Sequence, residues 1–161
     1  MRRTAILVMT VAALMVALSG AAFAVTLNGT DSGDTLKGTE GADTLYARGG
    51  SDAVFGYGGD DRLFGEGGAD GLYGGPGNDR VHGGSGDDRS DERLVQGGSG
   101  NDTVWGDAGE DMIYGGPGAD TIYSVGDNDG DVVDCGLGID TVKKGSDQNL
   151  DRFINCEYFV K

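Results

Sequence analysis

An aspartate recurs at a fixed interval, and that interval constrains this chain more than any other feature. Asp34, Asp43, Asp52, Asp61, Asp70, Asp79 and Asp88 follow one another every nine residues. After a short interruption Asp102, Asp111 and Asp120 resume the step, and Asp131 and Asp140 complete the series. A second column accompanies it: Leu36, Leu45, Val54, Leu63, Leu72, Val81, Val95, Val104, Ile113, Ile122, Val133 and Val142. It holds nothing but Leu, Ile or Val. Glycine fills most of the early places of a unit, as in Gly74-Gly75-Pro76-Gly77-Asn78-Asp79-Arg80-Val81-His82. Units start at Gly29, Gly38, Ala47, Gly56, Gly65, Gly74, Gly83, Gly97, Gly106, Gly115, Gly126 and Cys135, which makes twelve. A period held this strictly is the signature of a stacked repeat architecture.

Each column has a physical reason. The last three residues of a unit alternate out, in, out, the pattern of a short strand with one buried face. The first six form a turn, where glycine permits positive φ and close backbone approach. The turn carbonyls and the sixth-position carboxylate are hard oxygen donors, and Ca²⁺ takes six to eight of these. One turn cannot supply so many. Turns stacked about 4.8 Å apart can.

The unit G-G-x-G-x-D-x-U-x, with U a large apolar residue, resembles the RTX or haemolysin-type calcium-binding nonapeptide repeat, and it does so over about residues 27–143. The resemblance implies an all-β fold: a parallel β-roll (a right-handed β-solenoid) of about twelve units with a C-terminal cap. In that family two nonapeptides make one coil. Asp34 is then expected beside Asp52, and Asp52 beside Asp70; on the other side Asp43 meets Asp61, and Asp61 meets Asp79. The resemblance also implies that all twelve aspartates are metal ligands, with about ten inter-turn Ca²⁺ sites at most. Position two departs from glycine at Thr30, Thr39, Arg48, Tyr57, Glu66, Asp107 and Asp127, and Ser32 and Asp129 replace the fourth-position glycine. The insertion from about Arg89 to Arg93 is expected to disturb its neighbours. The best sites are therefore expected from Asp52 to Asp79 and from Asp102 to Asp120.

The N-terminus reads differently. Met1-Arg2-Arg3 is basic, Ala5 to Leu18 is apolar, and Ala22-Phe23-Ala24 is a small-x-small cleavage site. This is the pattern of a secretory signal peptide, too short to span a bilayer comfortably. The expected organisation is residues 1–24 signal peptide, 25–143 calcium-binding β-roll and 144–161 cap. Loss of Arg2 and Arg3 leaves 10 basic residues against 27 acidic, a net of −17. Such a chain repels nucleic acid and anionic membranes and attracts divalent cations. A secreted, extracellular protein is expected, with no membrane association after cleavage.

The ninth position carries Tyr46, Phe55, Phe64, Tyr73, Trp105, Tyr114 and Tyr123. These are expected to point outward in two rows, stacked along the coil to protect an exposed sheet face. The competing reading is a recognition surface, with Tyr46, Phe64, Trp105 and Tyr123 as its candidates. His82, the only histidine, shares this column. No patterned His or Cys accompanies it to make a metal or catalytic site. Asp127-Asn128-Asp129-Gly130-Asp131 suggests an EF-hand, but that loop needs Gly at its sixth place and Glu at its twelfth. Val132 and Gly138 stand there.

From Lys144 glycine becomes scarce, and Leu150, Phe153, Ile154, Tyr158, Phe159 and Val160 bring a new apolar set. A solenoid needs an atypical terminal unit to close its core, and Asp151-Arg152-Phe153 echoes the repeat once more. Cys135 and Cys156 flank this segment. In an oxidising compartment an even pair suggests a disulfide; a Cys-based metal or redox site fits this spacing poorly. The sequence from Asp134 to Asp140 with Cys156-Glu157 also looks like the ending of secreted bacterial calcium-binding repeat proteins.

The expected function is a secreted Ca²⁺-binding repeat protein that folds on binding, in a structural or interaction role. The alternative is an extracellular adhesin or glycan-binding module using the aromatic row. A hydrolase or other enzyme is disfavoured, because no nucleophile–base pair stands out. Ice binding is disfavoured too: position three runs Asp31, Glu40, Gly49, Gly58, Gly67, Pro76, Ser85 and Ser99, with no regular Thr row.

Overall fold

The computed structural model describes residues 22–89, 94–124, 129–145 and 151–160. The expected signal peptide up to residue 21, the insertion at 90–93, and Gly126, Asp127 and Asn128 lie outside the described residues.

Each x-U-x triplet forms a strand. The strands are β1 (Thr26–Asn28), β2 (Thr35–Lys37), β3 (Thr44–Tyr46), β4 (Ala53–Phe55), β5 (Arg62–Phe64), β6 (Gly71–Pro76), β7 (Arg80–Ser85) and β8 (Val95–Ser99). They continue as β9 (Thr103–Ala108), β10 (Met112–Gly118), β11 (Thr121–Ser124), β12 (Val132–Gly138), β13 (Thr141–Lys144), β14 (Arg152–Ile154) and β15 (Tyr158–Val160). Odd-numbered strands build one sheet, in the order β1-β3-β5-β7-β9-β11-β13-β15. Even-numbered strands build the other, β14-β12-β10-β8-β6-β4-β2. Every pairing is parallel, and neighbours match residue for residue, as Leu45 with Leu63 and Leu63 with Val81. The chain thus changes sheet at every turn, and two units complete one coil. This is an all-β parallel β-solenoid.

The register follows from the apolar column, since a slip by one residue would turn every U residue to solvent. Leu45, Val54, Leu63, Leu72, Val81, Val95, Val104, Ile113, Ile122, Val133 and Val142 are fully buried in a single line between the sheets. Leu27, Leu36 and Phe153 close it less completely at the two ends. Four of the non-glycine residues at position two keep the glycine conformation, whereas Thr30 and Thr39 do not. Arg48, Tyr57, Glu66 and Asp107 hold φ between 69° and 77°, a left-handed region costly for L-residues.

The tail does more than the echo at Asp151 suggests. β14 pairs with β12 and β15 with β13, both in register. The Cys135–Cys156 disulfide is formed and ties β12 to the segment between these last strands. Ser124 lies one residue beyond the nine of the unit that starts at Gly115, and it extends β11 and pairs with Lys144.

Candidate metal centre

The aspartates stand at the entry to each strand, where the turn ends. Their carboxylates point inward, and all from Asp43 to Asp140 are buried. Along the odd side each backbone N–H donates to the next coil's Oδ1: Asp43 to Asp61, Asp61 to Asp79, Asp79 to Asp102, Asp102 to Asp120 and Asp120 to Asp140, at 2.7–2.8 Å. Along the even side Asp34, Asp52, Asp70, Asp88, Asp111 and Asp131 form the same ladder, which ends on Asp151. The expected pairs are therefore brought together. The insertion does not break the ladder: Asp88 accepts from Asp70 and donates to Asp111.

Two members escaped sequence reading. Glu157 accepts from the Asp140 N–H through Oε2, at 3.0 Å. The signal was present in Glu157-Tyr158-Phe159, a carboxylate two residues before an apolar one. The Ser124 hydroxyl lies 2.6 Å from Asp151 Oδ2 and 3.4 Å from Asp131 Oδ2.

The ladder uses Oδ1. What becomes of Oδ2 varies along the rod. At the N-terminal end it is held by protein: Thr30 N–H and hydroxyl donate to Asp34 Oδ2 at 2.6 and 2.8 Å, and Thr39 does the same for Asp43. Further along, Oδ2 of Asp61, Asp79, Asp88, Asp102, Asp120 and Asp140 is buried with no hydrogen-bond donor. A buried carboxylate oxygen without a partner is costly. Its consequence is a raised pKa: burial chiefly, then neighbouring carboxylates, lifts Asp61 and Asp102 to about 6 and Asp79, Asp88 and Asp120 to about 7, against the partial offset of the ladder hydrogen bond.

The orphaned oxygens face other oxygens. A Cβ placed on Gly115 would lie 2.6 Å from Asp120 Oδ2 and 2.5 Å from the Cys135 carbonyl oxygen of the next coil. Two hard donors from adjacent coils thus converge on one point, which only glycine leaves open. The same convergence recurs at Gly56, Gly74 and Gly83. Ala47 and Cys135 stand at the same first position of their units, where glycine is replaced. Among the described residues no three His, Cys, Asp or Glu side chains cluster closely enough to hold a metal by themselves. A cation here must take backbone carbonyls, and the donor set of single carboxylates plus turn carbonyls fits Ca²⁺ rather than a transition metal.

Comparison with known families decides the identity. The RTX calcium-binding nonapeptide repeat (4 copies) matches residues 28–63, 55–89 and 94–122, which together cover more than half of the chain. The chain belongs to the RTX calcium-binding repeat family. No curated protein matches it. RTX repeats of this kind are structural and non-catalytic, and the aspartate ladder is consistent with that role. The RTX match stops at residue 122, yet β12 to β15 continue the same sheets. Among the described residues no helix is long and apolar enough to cross a membrane.

Proposed function

We propose that this RTX protein is secreted through its N-terminal signal peptide and folds when it meets extracellular Ca²⁺. The observation that carries the reading is the line of buried, donorless Oδ2 atoms facing backbone carbonyls of the adjacent coil. Asp34, Asp43, Asp52, Asp61, Asp70, Asp79, Asp88, Asp102, Asp111, Asp120, Asp131 and Asp140 are the proposed ligands. The strongest sites fall in the middle of the array, away from the threonine-held oxygens of Asp34 and Asp43. About ten ions would supply roughly +20 against a mature net of −17. Residues 25–143 form the right-handed roll of about twelve units, and 144–161 act as its cap.

The physics supports coupled folding and binding. A chain with 33 glycines loses much conformational entropy on ordering. Its apolar core is thin, one side chain from each unit. Stacked carboxylates repel without a counter-ion, so the metal-free chain is disordered and the loaded chain is a rod. Extracellular modules bind Ca²⁺ at about 10⁻⁴–10⁻³ M, which keeps the chain unfolded in a calcium-poor cytoplasm and suits export.

Far-UV circular dichroism of the chain, titrated with Ca²⁺ and reversed with EDTA, tests this directly. A transition from disorder to β-structure near millimolar Ca²⁺ is expected. A β-spectrum already complete in EDTA would sink the switch. Adhesion by sugar stacking on the aromatic row is the weaker reading. The faces of Tyr46, Phe64, Trp105 and Tyr123 are turned on neighbouring rings, with centroids 4.8–5.3 Å apart in the Tyr46–Phe64, Phe64–His82 and Trp105–Tyr123 pairs.

A further inference from the structure

The outward strand positions of the odd-numbered sheet carry cations and no carboxylate, whereas those of the even-numbered sheet add Asp134 to Lys37 and Arg152. In the odd-numbered strands the inward residues are buried, so positions seven and nine face out. Read from β1 to β15, these outward residues include no Asp or Glu. They do include Arg62, Arg80 and Lys143, in a protein whose formal charge is −15. Arg62 and Arg80 are in-register neighbours on adjacent strands, both exposed. Neither makes an ion pair among the described residues. Like charges directly opposite one another destabilise a sheet, so the fold gains nothing from this pair.

Beside the cations runs the ring ladder. Tyr46, Phe64, His82, Trp105 and Tyr123 stack with interplanar angles of 8–13°, and Lys143 Nζ ends the row 4.6 Å from the Tyr123 ring centre. Faces turned on one another leave ring edges outward. An aromatic edge carries the positive part of the ring quadrupole, the face the negative part. Asp107, two residues after Trp105 in β9, brings a carboxylate to this strip and is engaged by His82 Nδ1 at 3.2 Å.

We propose that this face binds an extended acidic polysaccharide along the rod axis. The strands of the strip repeat every 4.8 Å or so and its cations are spread along the axis on β5, β7 and β13, an elongated array that suits an extended polyanion better than a folded acidic partner. Contact is through Arg62, Arg80, Lys143 and ring edges, not through sugars stacked on ring faces. The proposal rests on the calcium reading, because the aspartate ladders must be neutralised before a polyanion can approach.

Trp105 is the only tryptophan and stands in the strip, so its fluorescence reports binding locally. The test titrates a sulfated dextran fragment into the chain in saturating Ca²⁺, with neutral dextran and polyglutamate alongside. Circular dichroism in the same samples establishes that the rod is folded, which separates failure here from failure of the calcium switch. Saturable binding of the sulfated fragment that weakens with added NaCl is expected, with none for neutral dextran. The Arg62→Ala/Arg80→Ala variant is expected to bind about tenfold more weakly at unchanged folding. Thr121→Glu, which sets a carboxylate in the strip, should weaken binding as well, and Arg62→Lys/Arg80→Lys should retain most of it. No binding by the folded rod, or binding indifferent to both Arg62→Ala/Arg80→Ala and Thr121→Glu, overturns the proposal. Polyglutamate bound as tightly, with the same dependence on the two arginines, overturns the assignment to a polysaccharide.

Discussion

Asp79 does two things with one carboxylate. Its Oδ1 accepts the Asp61 N–H at 2.8 Å, and its Oδ2 is buried without a donor. Substitution separates the two. Asp79→Asn keeps an acceptor for the Asp61 amide but removes the charge, so the Ca²⁺ concentration at the folding midpoint is expected to rise with little change in the loaded rod's register. Asp79→Ala also leaves the Asp61 N–H unmet, at a further cost of about 1–3 kcal/mol. Calcium titration of both variants by circular dichroism, followed by urea unfolding in saturating Ca²⁺, distinguishes them. Equal behaviour of Asn and Ala would show that the ladder hydrogen bond carries no weight. At this scale the sequence was fully readable for the twelve aspartates. It did not state which of their second oxygens the protein satisfies: Thr30 and Thr39 share position two with Arg48, Tyr57 and Glu66, so the position alone marks no donor, and Ser124 lies beyond the nine residues of its unit.

At the scale of elements, the two sheets are unequal in their outer rows. The odd sheet stacks five rings without a gap. The even sheet stacks Phe55 on Tyr73 at 5.1 Å and then stops, because Gln96 stands between Tyr73 and Tyr114 in register with both. Gln96→Tyr should complete that row and stabilise the loaded rod by about 0.5–1.5 kcal/mol, read as a higher urea midpoint. No gain would mean that outward stacking contributes little. The last elements depend on a covalent link instead. Cys135 and Cys156 are 21 residues apart, and closing such a loop contributes about 3 kcal/mol. Reduction by dithiothreitol is expected to lower the urea midpoint and to release β14 and β15 first, seen as early amide exchange at Arg152–Ile154 and Tyr158–Val160. Uniform exchange throughout the rod would contradict that local role.

Across the whole molecule, proton and calcium are expected to compete for the same buried oxygens. The folded, metal-free roll holds Asp61, Asp79, Asp88, Asp102 and Asp120 with pKa values of about 6 to 7, above the ordinary 3.8, because burial disfavours the charge. A raised pKa means that the folded state binds more protons than the unfolded chain. Stability from these groups is thus fully present below about pH 4 and is lost as pH rises through about 6 to 7. In EDTA the β-signal is expected to grow on acidification from pH 8 to pH 4. In saturating Ca²⁺ it should already be complete at pH 8. A metal-free chain equally disordered at both pH values would show that carboxylate repulsion is not what opposes folding.

The sequence by itself determined the period, the aspartate column, the buried column and the outward ring column, because each is a local rule repeated in register. It also determined the disulfide partners, there being only two cysteines. That two units make one coil came from family resemblance, since a nine-residue period does not state how many periods close a turn. The tertiary structure decided what depends on neighbours far apart in the chain. The ladder runs one way, from N–H to the next Oδ1, and continues through Asp151 and Glu157. The rings spend their faces on each other. Arg62, Arg80 and Lys143 share a face whose outward strand positions hold no carboxylate because alternate units fall on opposite sheets, and only the closing of the coil assigns each strand its side.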